Sequence, residues 1–154
     1  MILVGIQVKK PDGFEEFPEK YKKLFIQILN YAGEEARNEM LAKTPRDTGR
    51  LYAGYKHWLA TEVAPTVVIS NAVEYAGIME YGSKPFTPPI KPLVGWVHRK
   101  FHLANPYPVA KAIQKKISMY GLKGHGFFTA GQEKASEILE KDYSLEIEKL
   151  WEVK

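Results

Sequence analysis

The sequence feature that most constrains the fold is a long amphipathic stretch from Pro18 to Lys43. Its apolar stripe runs through Phe17, Tyr21, Leu24, Ile28, Tyr31 or Ala32, Glu35 or Ala36, and Met40. A repeat of three or four residues predicts one face of an α-helix. Pro18 suits the first helical turn, because its missing N–H would have no partner there. Thr44-Pro45 predicts the end of the helix, since the residue before a proline is disfavoured in the α conformation.

Short segments with β-strand character lie on both sides of this helix. Residues 2–8 alternate and are rich in β-branched side chains, and Pro11-Asp12-Gly13 after them is a typical turn. Residues 55–63 and 66–70 also favour strands, and the short break at Ala64-Pro65 predicts an antiparallel hairpin between them. We therefore expect an α+β fold, with the long N-terminal helix packed on a small antiparallel sheet.

The second half of the chain is predicted to be mainly helical. Helical spacing favours helices at residues 72–81, 93–103, 108–120 and 129–141. Gly82 and Gly121 are natural C-terminal stops for two of them. The inward stripe of the 108–120 helix is expected to be Val109, Ile113, Lys116 or Ile117, and Tyr120.

The connecting segments and the tail carry weaker signals. The four prolines between Ser83 and Pro92 predict an extended, stiff arm. Residues 122–126 should form a loop, which the following two phenylalanines dock onto the body. Residues 143–154 fit either a strand or a helix, and we favour a continued helix with a break near Asp142.

Length and composition limit the possible classes of protein. The 154 residues are typical of a single domain, and the absence of cysteine excludes disulfides and thiolate metal sites. The apolar N-terminal run is too short for a membrane span, and its basic residues follow rather than precede it, which disfavours a signal peptide. We therefore expect a protein that is cytoplasmic or assembled from the cytoplasm, without membrane partners.

Asp47-Thr48-Gly49 matches the tripeptide of aspartic proteases, but its surroundings argue against that chemistry. Such a site needs a second carboxylate close enough to share a proton, and the sequence has no second triplet. A flanking pair of arginines would also depress the pKa of the aspartate. We expect Asp47 or Thr48 instead to cap a short helical turn that runs into Leu51.

The other candidate sites for chemistry are weaker still. His98 and His102 stand four residues apart on a predicted helix, but Arg99 and Lys100 between them oppose a divalent cation. The glycines around His125 lack the spacing of a phosphate-binding loop. The sequence therefore predicts no catalytic residue, no cofactor and no metal.

A cluster of basic residues marks the third quarter of a chain whose net charge is +4. Its members are Arg99, Lys100, Lys111, Lys115, Lys116 and Lys123. Aromatic side chains lie between them, and one interpretation is an electrostatic surface for DNA. The same pattern also fits the solvated faces of two amphipathic helices whose aromatic residues lie in the core.

The motifs taken together resemble a family of tail components of tailed phages (siphophages) and prophages. These are neck, tail-completion or tail-terminator proteins. The resemblance rests first on Pro45, Asp47, Thr48, Gly49 and Leu51, then on Tyr75, Ala76, Glu80 and Gly82. A later run of Pro88-Pro89-Ile90, Pro92-Leu93, Trp96-Val97 and Arg99-Lys100 is similar to one subgroup, and the match covers about residues 1–140. Phe86-Thr87 departs from the subgroup pattern.

The resemblance implies a structural role rather than an enzymatic one. It implies an α+β subunit of a ring at the head–tail junction or tail end, through which DNA passes. The implied partners are further copies of the chain and the neighbouring head-completion and tail-tube proteins. The implied location is the virion neck or tail, and the host cytoplasm during assembly. The motif residues Pro45, Asp47, Thr48, Gly49, Leu51, Tyr75, Ala76, Glu80, Gly82, Pro89, Pro92 and Trp96 would then be structural.

Overall fold

The computed structural model describes residues 4–9, 14–16 and 18–151, with side chains for residues 15, 16 and 18–142. The helices are α1 (Glu19–Lys43), α2 (Arg50–Ala53), α3 (Ala76–Tyr81), α4 (Ile90–Phe101), α5 (Tyr107–Tyr120) and α6 (Phe127–Trp151), and Phe14–Glu16 forms a 3-10 turn. The strands are β1 (Val4–Lys9), β2 (Tyr55–Trp58), β3 (Thr66–Asn71), β4 (Gly82–Ser83) and β5 (Leu122–Lys123). The predicted turn at Pro11-Asp12-Gly13 lies outside the described residues.

Helix α1 begins and ends where its prolines predict. Thr44 follows it in an extended conformation, and its N–H and hydroxyl both donate to the carbonyl oxygen of Met40, at 2.9 and 2.7 Å. The buried face is centred on Phe25, Leu29, Ala32, Gly33, Ala36 and Met40. The predicted positions Leu24 and Ile28 were therefore wrong, because each lies one residue before a buried one, and Phe17 lies outside the described residues. The second half, at Ala32, Ala36 and Met40, is confirmed.

The three-stranded antiparallel sheet has the order β1–β3–β2. Tyr55 pairs with Asn71 and Trp58 with Val68, which confirms the predicted hairpin. Val67 and Ile69 of β3 are fully buried, and α1 packs both on β3 and along α6. The α+β class, with a long N-terminal helix on a small antiparallel sheet and further helices in the second half, is confirmed.

Helices α4 and α5 pack against each other as a helical hairpin, residues 90–120. Its two roots meet in a second small sheet, where β4 pairs antiparallel with β5. We call the rest of the fold, from α1 to α3 with α6 and the three-stranded sheet, the body. The hairpin is thus attached to the body through β4, β5 and the residues that flank them.

Two strand boundaries differ from the prediction. Strand β2 ends at Trp58 rather than at residue 63, because the side chain of Asn30 on α1 binds both the N–H and the carbonyl oxygen of Ala60, at 2.7 and 3.1 Å. The predicted loop at residues 122–126 contains β5, whose Leu122 N–H also receives support from the Ser83 hydroxyl oxygen at 3.2 Å.

Three helical predictions were also wrong in detail. Helix α4 begins at Ile90, so the extended arm is shorter than the predicted stretch from Ser83 to Pro92. On α5, Val109 and Tyr120 are exposed, whereas Ala110 and Ile117 are buried. Helix α6 continues through Asp142 without the expected break. The cost of aspartate inside a helix is only about 0.7 kcal/mol, which a long packed helix tolerates.

Candidate functional site

Most of the motif residues meet at one cleft between the body and the α4–α5 hairpin. The cleft has a volume of about 600 Å³. The motif residues that line it are Pro45, Asp47, Thr48, Gly49, Leu51, Tyr75 and Trp96. They come from the turn between α1 and α2, the start of α3, and α4. Segments about 50 residues apart in the sequence therefore line the same cleft.

The interior of the cleft is apolar. Leu51 is only 4% exposed at its base, and Met79 and Leu122 extend the body side. Leu93 and Ile113 contribute the hairpin side. A cleft of this size and lining matches the pockets that proteins use for ligands or for segments of other chains.

Asp47 and Arg99 join the two sides of the cleft. Arg99 Nε donates to Asp47 Oδ1 at 3.0 Å and Nη2 donates to Oδ2 at 2.5 Å, a bidentate pair. This hydrogen bonding from Arg99 holds the pKa of Asp47 below its usual value of 3.8. Asp47 is therefore an ionised partner of α4, which is the opposite of a proton-sharing protease carboxyl.

The predicted capping role of Asp47 or Thr48 was wrong. Helix α2 begins after Gly49, which adopts a φ of +80°, and no side chain of the described residues caps it. The left-handed conformation at Gly49 turns the chain sharply, and Asp47 is directed to Arg99 instead. A long-range partner thus replaces the local one that the spacing predicted.

Glu80 is a buried carboxylate that caps a distant helix. Its side chain is on α3 and the residue is only 3% exposed. It accepts hydrogen bonds from the N–H groups of Phe128 and Thr129, at 2.8 and 3.0 Å, and from the Thr129 hydroxyl at 2.8 Å. The first N–H groups of a helix lack partners within it and favour negative charge, so this carboxylate fixes the start of α6 against α3.

Glu80 is predicted from the sequence only as a structural motif residue, and this role is missed. The available signal was its spacing from Ala76, which is fully buried. Residues four apart share a helix face, so Glu80 had to point into the same interior as Ala76. A carboxylate in that position needs donors, and the nearest unpaired donors are those of a helix N-terminus.

The remaining motif residues shape the roots of the hairpin. Gly82 adopts a φ of +83°, and a Cβ there would lie 2.8 Å from the backbone nitrogen of Gly124 and closer still to the Leu122 carbonyl. Only glycine therefore allows β4 to approach the segment around β5 so closely. Pro89 immediately precedes α4 and Pro92 lies in its first turn, where prolines are tolerated.

An aromatic cluster anchors the start of α6 to the sheet, as predicted. Phe127 and Phe128 are 0% and 3% exposed, and both pack on the ring of Tyr55. The Tyr55 hydroxyl lies 2.7 Å from the hydroxyl oxygen of Thr44. Burial raises the pKa of Tyr55 to about 12, so this side chain stays neutral and works as a structural hydrogen-bond partner.

The predicted basic cluster is divided between surfaces. Arg99 is paired with Asp47, and Lys100 lines the cleft. Lys111, which donates to Gln114 at 3.1 Å, lines a separate shallow pocket with Lys115. Lys116 and Lys123 are exposed. The cluster thus supplies residues to an ion pair, to the cleft and to a second pocket.

Charge is nevertheless segregated along the chain. Residues 81–132, which include the hairpin, contain eight Lys or Arg and no Asp or Glu. The rest of the chain carries 14 Lys or Arg against 18 Asp or Glu. The hairpin region is thus strongly cationic beside a mildly anionic remainder.

Few groups near the cleft are arranged for chemistry. His98 Nδ1 donates to the Leu103 carbonyl oxygen at 3.2 Å, and His102 ends α4 with a φ of +51°. Within the described ranges, no three His, Asp or Glu side chains gather as a metal site requires, and no helix is long and apolar enough to cross a membrane.

No protein-family model, curated protein or solved structure matches this chain.

Proposed function

We propose that this chain is a structural subunit of the head–tail junction or tail end of a tailed phage, a neck, tail-completion or tail-terminator protein. It forms a ring with further copies, through which DNA passes, and contacts neighbouring head-completion and tail-tube proteins. It acts in the virion and, during assembly, in the host cytoplasm. It is not an enzyme.

The observation that carries the proposal is the role of the motif residues within the fold. Asp47 holds α4 against the body, and Glu80 holds the start of α6 against α3. Both carboxylates of the motif are therefore committed to contacts inside the chain. Carboxylates that join parts of a fold, rather than being free for catalysis, favour a scaffold whose shape is what function requires.

Exposed apolar side chains support contact between subunits. Trp58, Leu59 and Val63 lie exposed at and after β2, and Val63 is 97% exposed. Tyr107, Met119 and Tyr120 are exposed on α5. Aromatic residues and methionine are enriched in protein interfaces. Two different patches on one subunit suit the head-to-tail contacts from which rings are built.

The test is assembly of the purified chain, alone and mixed with tail tubes of a tailed phage. Native mass spectrometry and electron microscopy should detect rings or a complex at the end of the tubes. A chain that stays strictly monomeric and never joins tubes or heads would contradict the proposal. Portal, capsid and tail-tube genes in the neighbourhood would support it independently.

A second candidate function is non-specific nucleic-acid binding by residues 99–123, which the acid-free stretch from 81 to 132 favours. Duplex DNA titrated into the chain should bind with an affinity that falls steeply with salt, because lysines release counterions from phosphates. Lys115→Glu with Lys116→Glu should weaken binding, whereas Lys56→Glu on β2 should not. No binding at low salt would rule this candidate out.

A further inference from the structure

We infer that the cleft between the body and the α4–α5 hairpin binds the C-terminal stretch, residues 142–154, of a second copy of this chain. The inference deepens the proposed function, because it names one contact by which copies would assemble. It rests on the chemistry of the cleft, the chemistry of that stretch and the length of α6.

The cleft combines an apolar interior with a cationic rim. Arg46, Arg50, Lys100 and His125 all line it. Asp47 is the sole carboxylate among the described lining residues, and Arg99 already binds both of its oxygens. An occupant should therefore present apolar side chains to the interior and carboxylates to the rim.

One of the two arginines, Arg46, is held by a stacking contact with an aromatic ring, whereas Arg50 is farther from its ring. The Arg46 guanidinium lies 4.0 Å from the centre of the Tyr52 ring, and Arg50 lies 5.9 Å from that of Tyr75. Stacking on an aromatic face fixes a guanidinium while its N–H edges stay available to a carboxylate. Less side-chain entropy is then lost when an acidic partner binds.

Residues 142–154 have the complementary composition. Their acidic residues are Asp142, Glu146, Glu148 and Glu152, against two lysines. Their apolar residues are Tyr143, Leu145, Ile147, Leu150, Trp151 and Val153. The stretch is thus negatively charged overall and rich in large apolar side chains, as the cleft requires.

The length of α6 decides which copy supplies the stretch. Helix α6 has 25 residues and begins at Phe127, two residues after His125 in the cleft lining. At about 1.5 Å per residue, its far end lies about 36 Å from its start. The two ends of one helix are thus much farther apart than the cleft is wide, so a cleft beside the start of α6 does not hold the far end of the same α6, and the inferred occupant comes from a second copy.

This contact joins two different surfaces, the cleft of one copy and residues 142–154 of the next. Such a contact repeats from copy to copy, and it closes into a ring when the rotation between neighbours allows. Because the attraction is between opposite charges, it also sets the orientation of each neighbour.

The direct test uses a fluorescein-labelled peptide with the sequence of residues 142–154, titrated into the full-length chain. We expect saturable binding that Lys100→Glu weakens by about tenfold or more, since like charges then face each other. Lys56→Glu, a matched reversal on exposed β2, should leave binding unchanged. A peptide of the same composition in scrambled order should bind more weakly. Equal binding of both peptides, or no effect of Lys100→Glu, would overturn the inference.

A charge exchange in the full-length chain gives a second test. Lys100→Glu with Arg46→Glu should reduce self-association, and so should Glu146→Lys with Glu148→Lys. An equimolar mixture of the two folded variants should associate again. The cleft of each variant then meets residues 142–154 of the other variant, which carry the opposite charge. Circular dichroism confirms that each variant is folded. Failure of the mixture to associate while the wild-type chain does would overturn the inference.

The outcomes separate this inference from the proposed function. Rings that form normally with Lys100→Glu would overturn the cleft contact and leave the assembly role intact. Peptide binding that depends on Lys100, in a chain that never joins tails or rings, would support the cleft contact and contradict the assembly role.

Discussion

Glu80 shows how much of this fold depends on one side chain. Three donors at the start of α6 converge on its carboxylate in a buried site. We expect Glu80→Ala to lower the free energy of unfolding by about 2–4 kcal/mol, because buried donors lose a charged acceptor. Glu80→Gln should cost less, since one acceptor oxygen remains. Urea denaturation followed by circular dichroism measures both.

Glu74 provides the control for Glu80, since it is an exposed carboxylate close by in sequence. Glu74→Ala should change the free energy of unfolding by less than about 0.5 kcal/mol. If Glu80→Ala were as stable as Glu74→Ala, the contacts at the start of α6 would not contribute to stability, and the structural role given to this motif residue would be wrong.

His57 predicts a pH dependence of stability. Burial lowers its pKa below 6.5; Glu34 at 3.3 Å opposes this, while Arg37 adds to it. In addition, the ring Nε2 is buried and has no hydrogen-bond partner among the described residues. The unfolded chain therefore binds a proton at a higher pH than the folded one, so stability should fall as the pH drops below about 6.5.

Paired measurements isolate the contribution of His57 from those of the carboxylates. The free energy of unfolding of wild type and of His57→Gln is compared between about pH 8 and pH 5. We expect the difference between them to shift in favour of His57→Gln as the pH falls, whereas His102→Gln, at an exposed position, should follow wild type. Parallel curves for wild type and His57→Gln would refute the expectation.

At the scale of elements, Asp47 and Arg99 hold the α4–α5 hairpin against the body. Removing either side chain should loosen the hairpin while leaving the body folded. We expect Asp47→Ala and Arg99→Ala each to speed amide hydrogen exchange in α4 and α5 relative to α1, as measured by mass spectrometry. The double variant should add little, because either change alone already breaks the pair.

The control for this pair is Lys134→Ala, which breaks a surface ion pair with Glu137 on α6. Its exchange in α4 and α5 should match that of wild type. High salt should partly reproduce the effect of Asp47→Ala, because the pair is largely exposed and salt screens it. Unchanged exchange in both hairpin variants would show that apolar contacts alone hold the hairpin in place.

Elements with local signals were predictable, and elements defined by distant partners were not. Prolines and glycines around α1, α3 and α5 marked most of their ends, because such residues act on the backbone directly. Strands β4 and β5 have two residues each and exist only as a pair across about 40 residues. The early end of β2 depends on Asn30, which no strand pattern includes.

The candidate site was likewise predictable where its signals are local and unpredictable where it depends on distant partners. The motif residues were identifiable from their spacing, but their convergence at a cleft was not. Arg99 appeared as part of a basic cluster, whereas its partner Asp47 lies 52 positions earlier in the sequence. Asp47 is not a helix cap, and Arg99 is not a free member of a basic cluster, because the fold brings α4 onto the turn after α1. No local sequence pattern encodes that approach.

At the scale of the whole molecule, charge segregation predicts how copies of the chain associate. The cationic stretch from 81 to 132 on one copy should attract the anionic remainder of another. Raising the ionic strength from about 0.01 M to about 0.1 M shortens the Debye length from about 30 Å to about 10 Å. Self-association measured by sedimentation velocity should therefore weaken over this range, chiefly through a slower association rate.

A charge variant distinguishes this electrostatic attraction from apolar association. Lys115→Glu with Lys116→Glu lowers the positive charge of the hairpin region, so the dependence on ionic strength should become shallower. Val63→Ser leaves the charge unchanged and should keep the salt dependence of wild type, even if overall association weakens. Association that instead strengthens with salt would mean that exposed apolar residues such as Val63 and Tyr120 bring copies together, because screening does not weaken hydrophobic contact.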